Sequence, residues 1–240
     1  MASNLGRNVQ NRGARVTPTI IFDFDGTLAV GDGPVLAFAR FAAEAAGDDY
    51  ISRVESALAA YERGASAYRD GYDVVSSLAR ADGVDESTLN AAYAHSRTRL
   101  GTADALVQPA PGLTELMAEL DPQVRVILAT NAPETGIPDL LAAWGIADRL
   151  QSTHFVVGKP AGLEALVRAA LADGPVLSIG DIFVNDLAPA RALGADTALV
   201  GATASSSTED PTFRGTTLAD LAPRIRRWAD DALRLSDLAS

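Results

Sequence analysis

Short apolar stretches that are typical of buried strands alternate with stretches of helical periodicity, and this alternation constrains the fold more than any other feature of the chain. The strand candidates are rich in β-branched and aromatic residues and span residues 19–22, 124–129, 155–157, 176–179 and 197–200. The helix candidates span residues 113–120, 137–144, 163–171 and 187–193, followed by an amphipathic helix at 221–235. Such alternation indicates βαβ units, so we predict an α/β, Rossmann-like core of three layers around a mainly parallel sheet.

Residues 32–107 differ from the rest of the chain because they contain no convincing strand. We predict four helices there, at about 34–46, 50–63, 67–81 and 86–100. Pro34 suits the first turn of a helix, and Gly47 and Gly83 lie where helices are expected to end. The expected organisation is an all-helical cap domain at 32–107, inserted into a core formed by 18–31 and 108–240, with a disordered tail at 1–17.

The charge balance and the composition exclude several classes of protein. The 240 residues include 31 acidic and 20 basic side chains, which gives a formal net charge of -11. A chain of this charge without a basic stripe repels phosphate backbones, so we expect no nucleic-acid partner. The absence of cysteine excludes disulfides and a cysteine nucleophile and is compatible with a cytoplasmic location. No apolar run reaches the roughly 20 residues of a membrane span, so no membrane association is expected.

Polar side chains collect where the predicted strands end. Asp23 and Asp25 follow the first strand, and Thr130 and Asn131 follow the second. The other candidates are Lys159 after the third strand and Asp181, Asn185 and Asp186 after the fourth. Ligand sites in open parallel sheets lie outside the carboxyl ends of the strands, so we expect these side chains to converge.

Four carboxylates in one crevice repel one another and cannot all stay ionised there without compensation. Oxygen ligands with neither Cys nor His nearby favour Mg²⁺, which uses one or two carboxylates together with substrate phosphate. Lys159 is the only lysine of the chain and would add a compact ammonium. The expected result is an electropositive place for a phosphoryl group.

The spacing of the first two acids leaves room for two roles. Asp23 and Asp25 are two residues apart, and Gly26 indicates that the chain is already turning. One carboxylate could attack phosphorus in line and form an aspartyl phosphate, while the other donates a proton to the leaving oxygen. Thr130 would then hydrogen-bond a phosphoryl oxygen, and Lys159 would offset charge on the nucleophile and the phosphoryl group.

These residues resemble the motifs of the haloacid dehalogenase superfamily, in its phosphatase branch. The sequence DFDGTL, which begins at Asp23, resembles the first motif, and Thr130 at the end of an aliphatic run resembles the second. Lys159 in the sequence GKP resembles the third motif, and the segment from Asp181 to Asp186 resembles the fourth. All four occur in the order of the family, and the resemblance covers about residues 19 to 201.

The resemblance implies a role for each matched residue. Asp23 would be the nucleophile and Asp25 the general acid and base. Mg²⁺ would be held by Asp23, the backbone carbonyl of Asp25, Asp181 and Asp186, whereas Thr130, Asn131 and Lys159 would bind substrate. Four residues separate Asp181 from Asp186 where many members have three. The direct metal ligand among Asp181, Asn185 and Asp186 is therefore left open. A helical cap that closes over the site, as in one subgroup of the family, would exclude water.

The predicted function is that of a magnesium-dependent phosphatase, a hydrolase that acts on a small phosphorylated metabolite through an aspartyl phosphate. A phosphomutase acting on a sugar phosphate shares every motif and is the first alternative, and a non-catalytic phosphate-binding regulatory module is the second. A dehalogenase is disfavoured because in that branch the second acid is absent, whereas Asp25 is present here. The substrate and the oligomeric state are not determined by the sequence.

Several other polar side chains are interpreted as structural. The two histidines, His95 and His154, lie outside the motifs, so we expect no chemical role for either. The arginines of the predicted cap are interpreted as solvated helix faces, namely Arg40, Arg53, Arg63, Arg69, Arg97 and Arg99.

Overall fold

The computed structural model describes residues 16–63 and 68–238, and a six-stranded parallel sheet lies at its centre. Its strands are β1 (Thr19–Phe22), β4 (Arg125–Ala129), β5 (Ser152–His154), β6 (Val176–Gly180), β7 (Asp196–Val200) and β8 (Phe213–Gly215), in the order β5-β4-β1-β6-β7-β8. A separate antiparallel pair joins β2 (Ala29–Val30) to β3 (Gln108–Pro109). The predicted α/β fold with a parallel sheet is confirmed.

Nine α-helices are found in the part of the chain that the structure describes. They are α1 (Gly33–Ala42), α2 (Tyr50–Glu62), α3 (Gly71–Ala81), α4 (Glu86–Arg97), α5 (Leu113–Glu119), α6 (Ile137–Ala143), α7 (Ala161–Asp173), α8 (Ala188–Ala192) and α9 (Leu218–Leu238). None of the described helices is both long enough and apolar enough to cross a membrane. The predicted tail at 1–17 lies outside the described residues except for positions 16 and 17.

The three layers follow from the alternation of side chains along the strands. On β1, Ile20 and Phe22 pack into one hydrophobic cluster with α5, α6 and α9, whereas Ile21 packs into a second cluster with α7 and α8. All four residues of β1 are buried, as expected for a central parallel strand that is covered on both faces. The sheet thus holds the carboxyl end of β1, where Asp23 follows, at the middle of the edge.

One predicted strand was wrong, because residues 155–157 do not form a strand. The actual strand, β5, lies three residues earlier and is short, polar and at the edge of the sheet. The chain turns at Val156, whose φ of 50° is unusual for a β-branched residue. The amides of Val156 and Val157 donate to the carbonyls of Ala132 and Thr130, so the apolar segment crosses the end of β4 instead of continuing β5.

Helices α1 to α4 form an all-helical cap with its own hydrophobic cluster. The cluster includes Phe38, Val54 and Val75, and the buried Tyr50 hydroxyl donates to the Val75 carbonyl at 2.8 Å. Two helices begin at aspartates that accept a hydrogen bond from a backbone amide three residues on, Asp70 for α3 and Asp85 for α4. The first cap helix ends at residue 42, four residues earlier than predicted.

Candidate functional site

A cavity of about 450 Å³ lies between the carboxyl ends of the central strands and the cap. Every candidate named from the sequence lines it, including Asn185. The lining residues from the core are Asp23, Asp25, Thr130, Asn131, Lys159, Asp181, Asn185 and Asp186. Four separate segments supply these side chains. Asp23, Thr130 and Asp181 directly follow central strands, as predicted, whereas Lys159 lies in the loop between β5 and α7 and not after a strand at 155–157.

Lys159 lies at the centre of the charged groups. Its side chain is only 3% exposed, and its Nζ donates to Asp23 Oδ1 at 2.5 Å and to Asp186 Oδ1 at 2.7 Å. Burial disfavours the charged amine, but the two carboxylates outweigh that cost and raise the pKa of Lys159 above its usual value. The ammonium is therefore a fixed positive charge between two aspartates.

The carboxyl groups of Asp23, Asp181 and Asp186 are destabilised in their charged form. Burial raises the pKa of Asp23 to about 7, with Lys159 opposing the shift and the charges on Asp186 and Asp25 adding to it. Burial also raises the pKa of Asp186, and it raises the pKa of Asp181 well above the usual range, where the charges of Asp23 and Asp186 add. One ammonium does not compensate the three acids.

Asp23, Asp181 and Asp186 fit a divalent cation. Each offers a carboxylate oxygen, and these three oxygens lie within 4.8 Å of one another. Asp181 Oδ1 is buried and has no hydrogen-bond partner, which a cation would supply. A set made only of oxygen ligands suits Mg²⁺. The side chain of Asp25 lies outside this group, and a contact through its backbone carbonyl stays a prediction.

The unusual spacing between Asp181 and Asp186 has a structural explanation. The chain from Phe183 to Leu187 forms a π-helical turn, in which the amide of Ala188 donates to the carbonyl of Phe183. A π turn accommodates one residue more than an α turn, and such turns are frequent at functional sites. The extra residue is absorbed there, so Asp186 still reaches Lys159, while its Oδ2 accepts from the Ile182 amide at 3.1 Å.

Thr130 and Asn131 shape the loops around the cavity. Thr130 is buried, and its Oγ1 accepts a hydrogen bond from the Ala132 amide at 3.0 Å. Asn131 Oδ1 accepts from the backbone amide of Lys159 at 2.7 Å. Asn131 therefore fixes the loop that carries the lysine, a role that the sequence did not indicate.

Arg97 was interpreted from the sequence as part of a solvated helix face, and this was wrong. Its side chain is 1% exposed, and Nη1 donates to Asp25 Oδ1 at 3.0 Å and to the Tyr72 hydroxyl at 3.1 Å. The Tyr72 hydroxyl donates in turn to Asp25 Oδ1 at 3.3 Å. The cap thus supplies an arginine and a tyrosine to the second aspartate of the DFDGTL sequence.

The two histidines lie away from the cavity. His95 stacks on Phe41 at a ring distance of 4.1 Å within the cap. The Nε2 of His154 lies 3.0 Å from the Ser152 hydroxyl at the edge of the sheet. Neither histidine lines the cavity.

Gly26 is required where the loop after β1 meets Asp181. Its φ is +81°, and a Cβ at this position would lie 2.3 Å from Asp181 Oδ2. We expect Gly26→Ala to displace the Asp181 carboxylate and to raise at least tenfold the Mg²⁺ concentration that gives half-maximal activity, in addition to a loss of about 1 kcal/mol for the left-handed backbone. Titration of activity with Mg²⁺ measures the shift.

Gly83→Ala is the matched control for this substitution. Gly83 has nearly the same φ, +86°, but no atom lies within 4 Å of a Cβ built there. We expect it to lose about 1 kcal/mol of stability with an unchanged Mg²⁺ requirement. Equal metal requirements in the two variants would contradict the role given to Asp181.

Comparison with protein families gives one match that covers most of the chain. A family model described as haloacid dehalogenase-like hydrolase matches residues 17–194. No curated protein matches the chain by sequence. YfnB from Bacillus subtilis, solved with bound magnesium, is 18% identical with a TM-score of 0.58, and the match covers 88% of this chain and 99% of that chain.

Two further solved structures share the fold. A protein from Lactobacillus plantarum assigned as a phosphoglycolate phosphatase is 17% identical with a TM-score of 0.58, over 87% of this chain and 99% of that chain. The L-2-haloacid dehalogenase of Xanthobacter autotrophicus is 20% identical with a TM-score of 0.52, over 87% and 98%. At these identities the similarity shows the fold and not the substrate.

Proposed function

The chain belongs to the haloacid dehalogenase-like hydrolases, and on that premise we propose that it is a Mg²⁺-dependent phosphatase that hydrolyses a small phosphorylated metabolite through an aspartyl phosphate. The observation that carries this proposal is the group of three carboxylates of Asp23, Asp181 and Asp186, two of which contact Lys159 and one of which has a buried oxygen without a partner. Such a group fits a divalent cation, and the resemblance links magnesium to the phosphatase branch and not to the dehalogenase branch.

The chain's own residues suit each step of that reaction. Asp23, whose side chain is 11% exposed at the base of the cavity, would attack phosphorus in line, so that an oxygen–phosphorus bond forms as the ester bond to the alcohol breaks. Asp25 would give its proton to the leaving alcohol oxygen and then take one from the water that hydrolyses the aspartyl phosphate. Lys159 would hold charge on Asp23 and on the phosphoryl group.

A bound Mg²⁺, held by Asp23, Asp181 and Asp186, would supply positive charge to the phosphoryl oxygens. The cap, which comprises residues 32–107 in this proposal, would cover the cavity and exclude water other than the attacking molecule. Thr130 and Asn131 would contribute polar contacts to the phosphoryl group from the end of β4.

The decisive test is hydrolysis of p-nitrophenyl phosphate by the full chain with and without Mg²⁺. We expect turnover with Mg²⁺ and a fall of at least about 10³-fold after EDTA treatment, restored by added Mg²⁺, because the charge that the ion supplies is worth several kcal/mol. Release of chloride from 2-chloropropionate without metal would instead indicate a dehalogenase, and isomerised sugar phosphate without free phosphate would indicate a phosphomutase. Absence of turnover on every ester, with phosphate still bound, would indicate the non-catalytic module.

A further inference from the structure

The cavity has a phosphoryl end and a cap end of different chemistry. The phosphoryl end is formed by Lys159, Asp23, Asp181 and Asp186. The cap end would face the alcohol part of a phosphate ester whose phosphoryl group lies at Lys159. Its side chains are Asp32, Val35, Leu58, Tyr61, Asp70, Tyr72 and Tyr93.

The charges at the cap end are all negative among the described residues. Asp32 and Asp70 line it, and no Lys or Arg of the described part of the cap does. Residues 64–67, which are not among the residues that the structure describes, are Gly, Ala, Ser and Ala and carry no charged side chain. Arg97 is the basic side chain behind this wall, but it is 1% exposed and is bound to Asp25 and Tyr72.

The uncharged part of the cap end is aromatic. Tyr61, Tyr72 and Tyr93 line it, and the rings of Tyr72 and Tyr93 meet edge to face at a centroid distance of 5.7 Å. Tyrosine rings attract cations through their quadrupole, and they do so most strongly where water is excluded. Aromatic rings beside carboxylates therefore favour a positively charged group.

Resting on the proposed function, we propose that the substrate is the phosphate monoester of a small amino alcohol, whose alkylammonium group lies against Asp70 and the tyrosines of the cap. A carboxylate in the same place would be repelled by Asp32 and Asp70. A neutral alcohol would gain apolar contact with Val35 and Leu58 and no charge interaction. The cap end thus selects by charge.

Three esters of similar size test this selection. Phosphoethanolamine and n-propyl phosphate differ only by an ammonium in place of a methyl group, and phosphoglycolate carries a carboxylate. We expect kcat/KM to be at least tenfold higher for phosphoethanolamine than for n-propyl phosphate, because one buried or partly buried charge pair exceeds 1.4 kcal/mol. Phosphoglycolate is expected to be the poorest of the three.

Asp70→Asn separates the charge of this residue from its structural role. Asp70 Oδ1 accepts from the Asp73 amide at 2.6 Å at the start of α3, and Asn fills this position as well as Asp does. We expect the ratio of kcat/KM for phosphoethanolamine over n-propyl phosphate to fall about tenfold in Asp70→Asn. Asp73→Asn removes the same charge one turn away, outside the cavity lining, and should keep the native ratio.

Binding of non-hydrolysable analogues gives a readout that does not depend on turnover. Calorimetry on the full chain with Mg²⁺ should show tighter binding of 2-aminoethylphosphonate than of n-propylphosphonate, by about the same factor as the esters. If the protein hydrolyses p-nitrophenyl phosphate but shows equal kcat/KM for phosphoethanolamine and n-propyl phosphate, this inference is overturned and the proposed phosphatase function still stands. Failure on every ester would overturn the proposed function itself.

Discussion

Asp23→Asn should abolish turnover, with kcat reduced by about 10⁴-fold or more. The amide cannot attack phosphorus, and loss of a covalent nucleophile removes the interactions that act with it as a unit. The fold should persist because Asn Oδ1 can still accept from the Lys159 ammonium, which keeps its second contact with Asp186 at 2.7 Å. Phosphate release measures the loss, and circular dichroism checks the fold. Turnover within tenfold of the native rate would contradict the assignment of the nucleophile.

The same variant should be more stable than the native chain in the absence of metal, and increasingly so as the pH rises. Folding raises the pKa of Asp23 from 3.8 to about 7, mainly through burial, so the folded protein holds this proton more tightly than the unfolded chain. The stabilising contribution of Asp23 to the free energy of unfolding is therefore fully present below about pH 4 and is lost as the pH rises to 7. Asn carries no such cost, so its advantage in EDTA should grow between pH 5 and 8 to about 2–4 kcal/mol. Added Mg²⁺ should reverse the order of stability.

The positions of Asp23, Thr130 and Asp181 could be predicted because they depend on one regularity of the fold. Carboxyl ends of parallel strands meet at one edge of the sheet, and apolar runs of β-branched residues locate those ends well when the strand is central. The edge strand β5 did not follow this rule. An edge strand needs less apolar burial, so the sequence STH forms it while the more apolar residues after it turn away.

The cap contacts could not be predicted in the same way, although one signal was present. Arg97 is 72 residues from Asp25, and their pairing depends on how the cap lies over the core. On α4, however, Arg97 follows Leu89 and Tyr93 at intervals of four residues, which places all three on one helical face. Leu89 packs in the cap cluster, so this face turns inward and carries the arginine with it. The position of Arg97 on the same helical face as apolar residues therefore indicated that its side chain is buried.

Arg97→Met should lower kcat for an alkyl phosphate by about 10- to 100-fold. Arg97 does not line the cavity, so it acts through Asp25, whose carboxylate it orients together with Tyr72. General acid and base catalysis is worth 10²–10⁴-fold, and a misplaced carboxyl loses part of it. The loss should be several-fold smaller for p-nitrophenyl phosphate, whose leaving group departs without a proton. A purely structural role would lower both rates equally.

The stability of the Arg97 variants should separate catalysis from folding. Arg97 Nε and Nη2 are buried without hydrogen-bond partners, so part of the free-energy cost of burying the guanidinium is not recovered. In addition, a Met side chain fills much of the space that the methylene groups of the arginine occupy. We therefore expect Arg97→Met to lower the free energy of unfolding by about 1–3 kcal/mol. This is less than the cost of breaking a fully buried ion pair, because the Asp25 side chain is 26% exposed. Arg97→Lys should recover part of kcat. Arg99→Met, on an exposed position two residues further on, should change neither quantity. An equal loss of activity in the Arg97 and Arg99 variants would contradict a role of Arg97 in the site. A loss that occurs only in the Arg97 variants, and that is larger for the alkyl phosphate than for p-nitrophenyl phosphate, would show that the cap acts on proton transfer by Asp25.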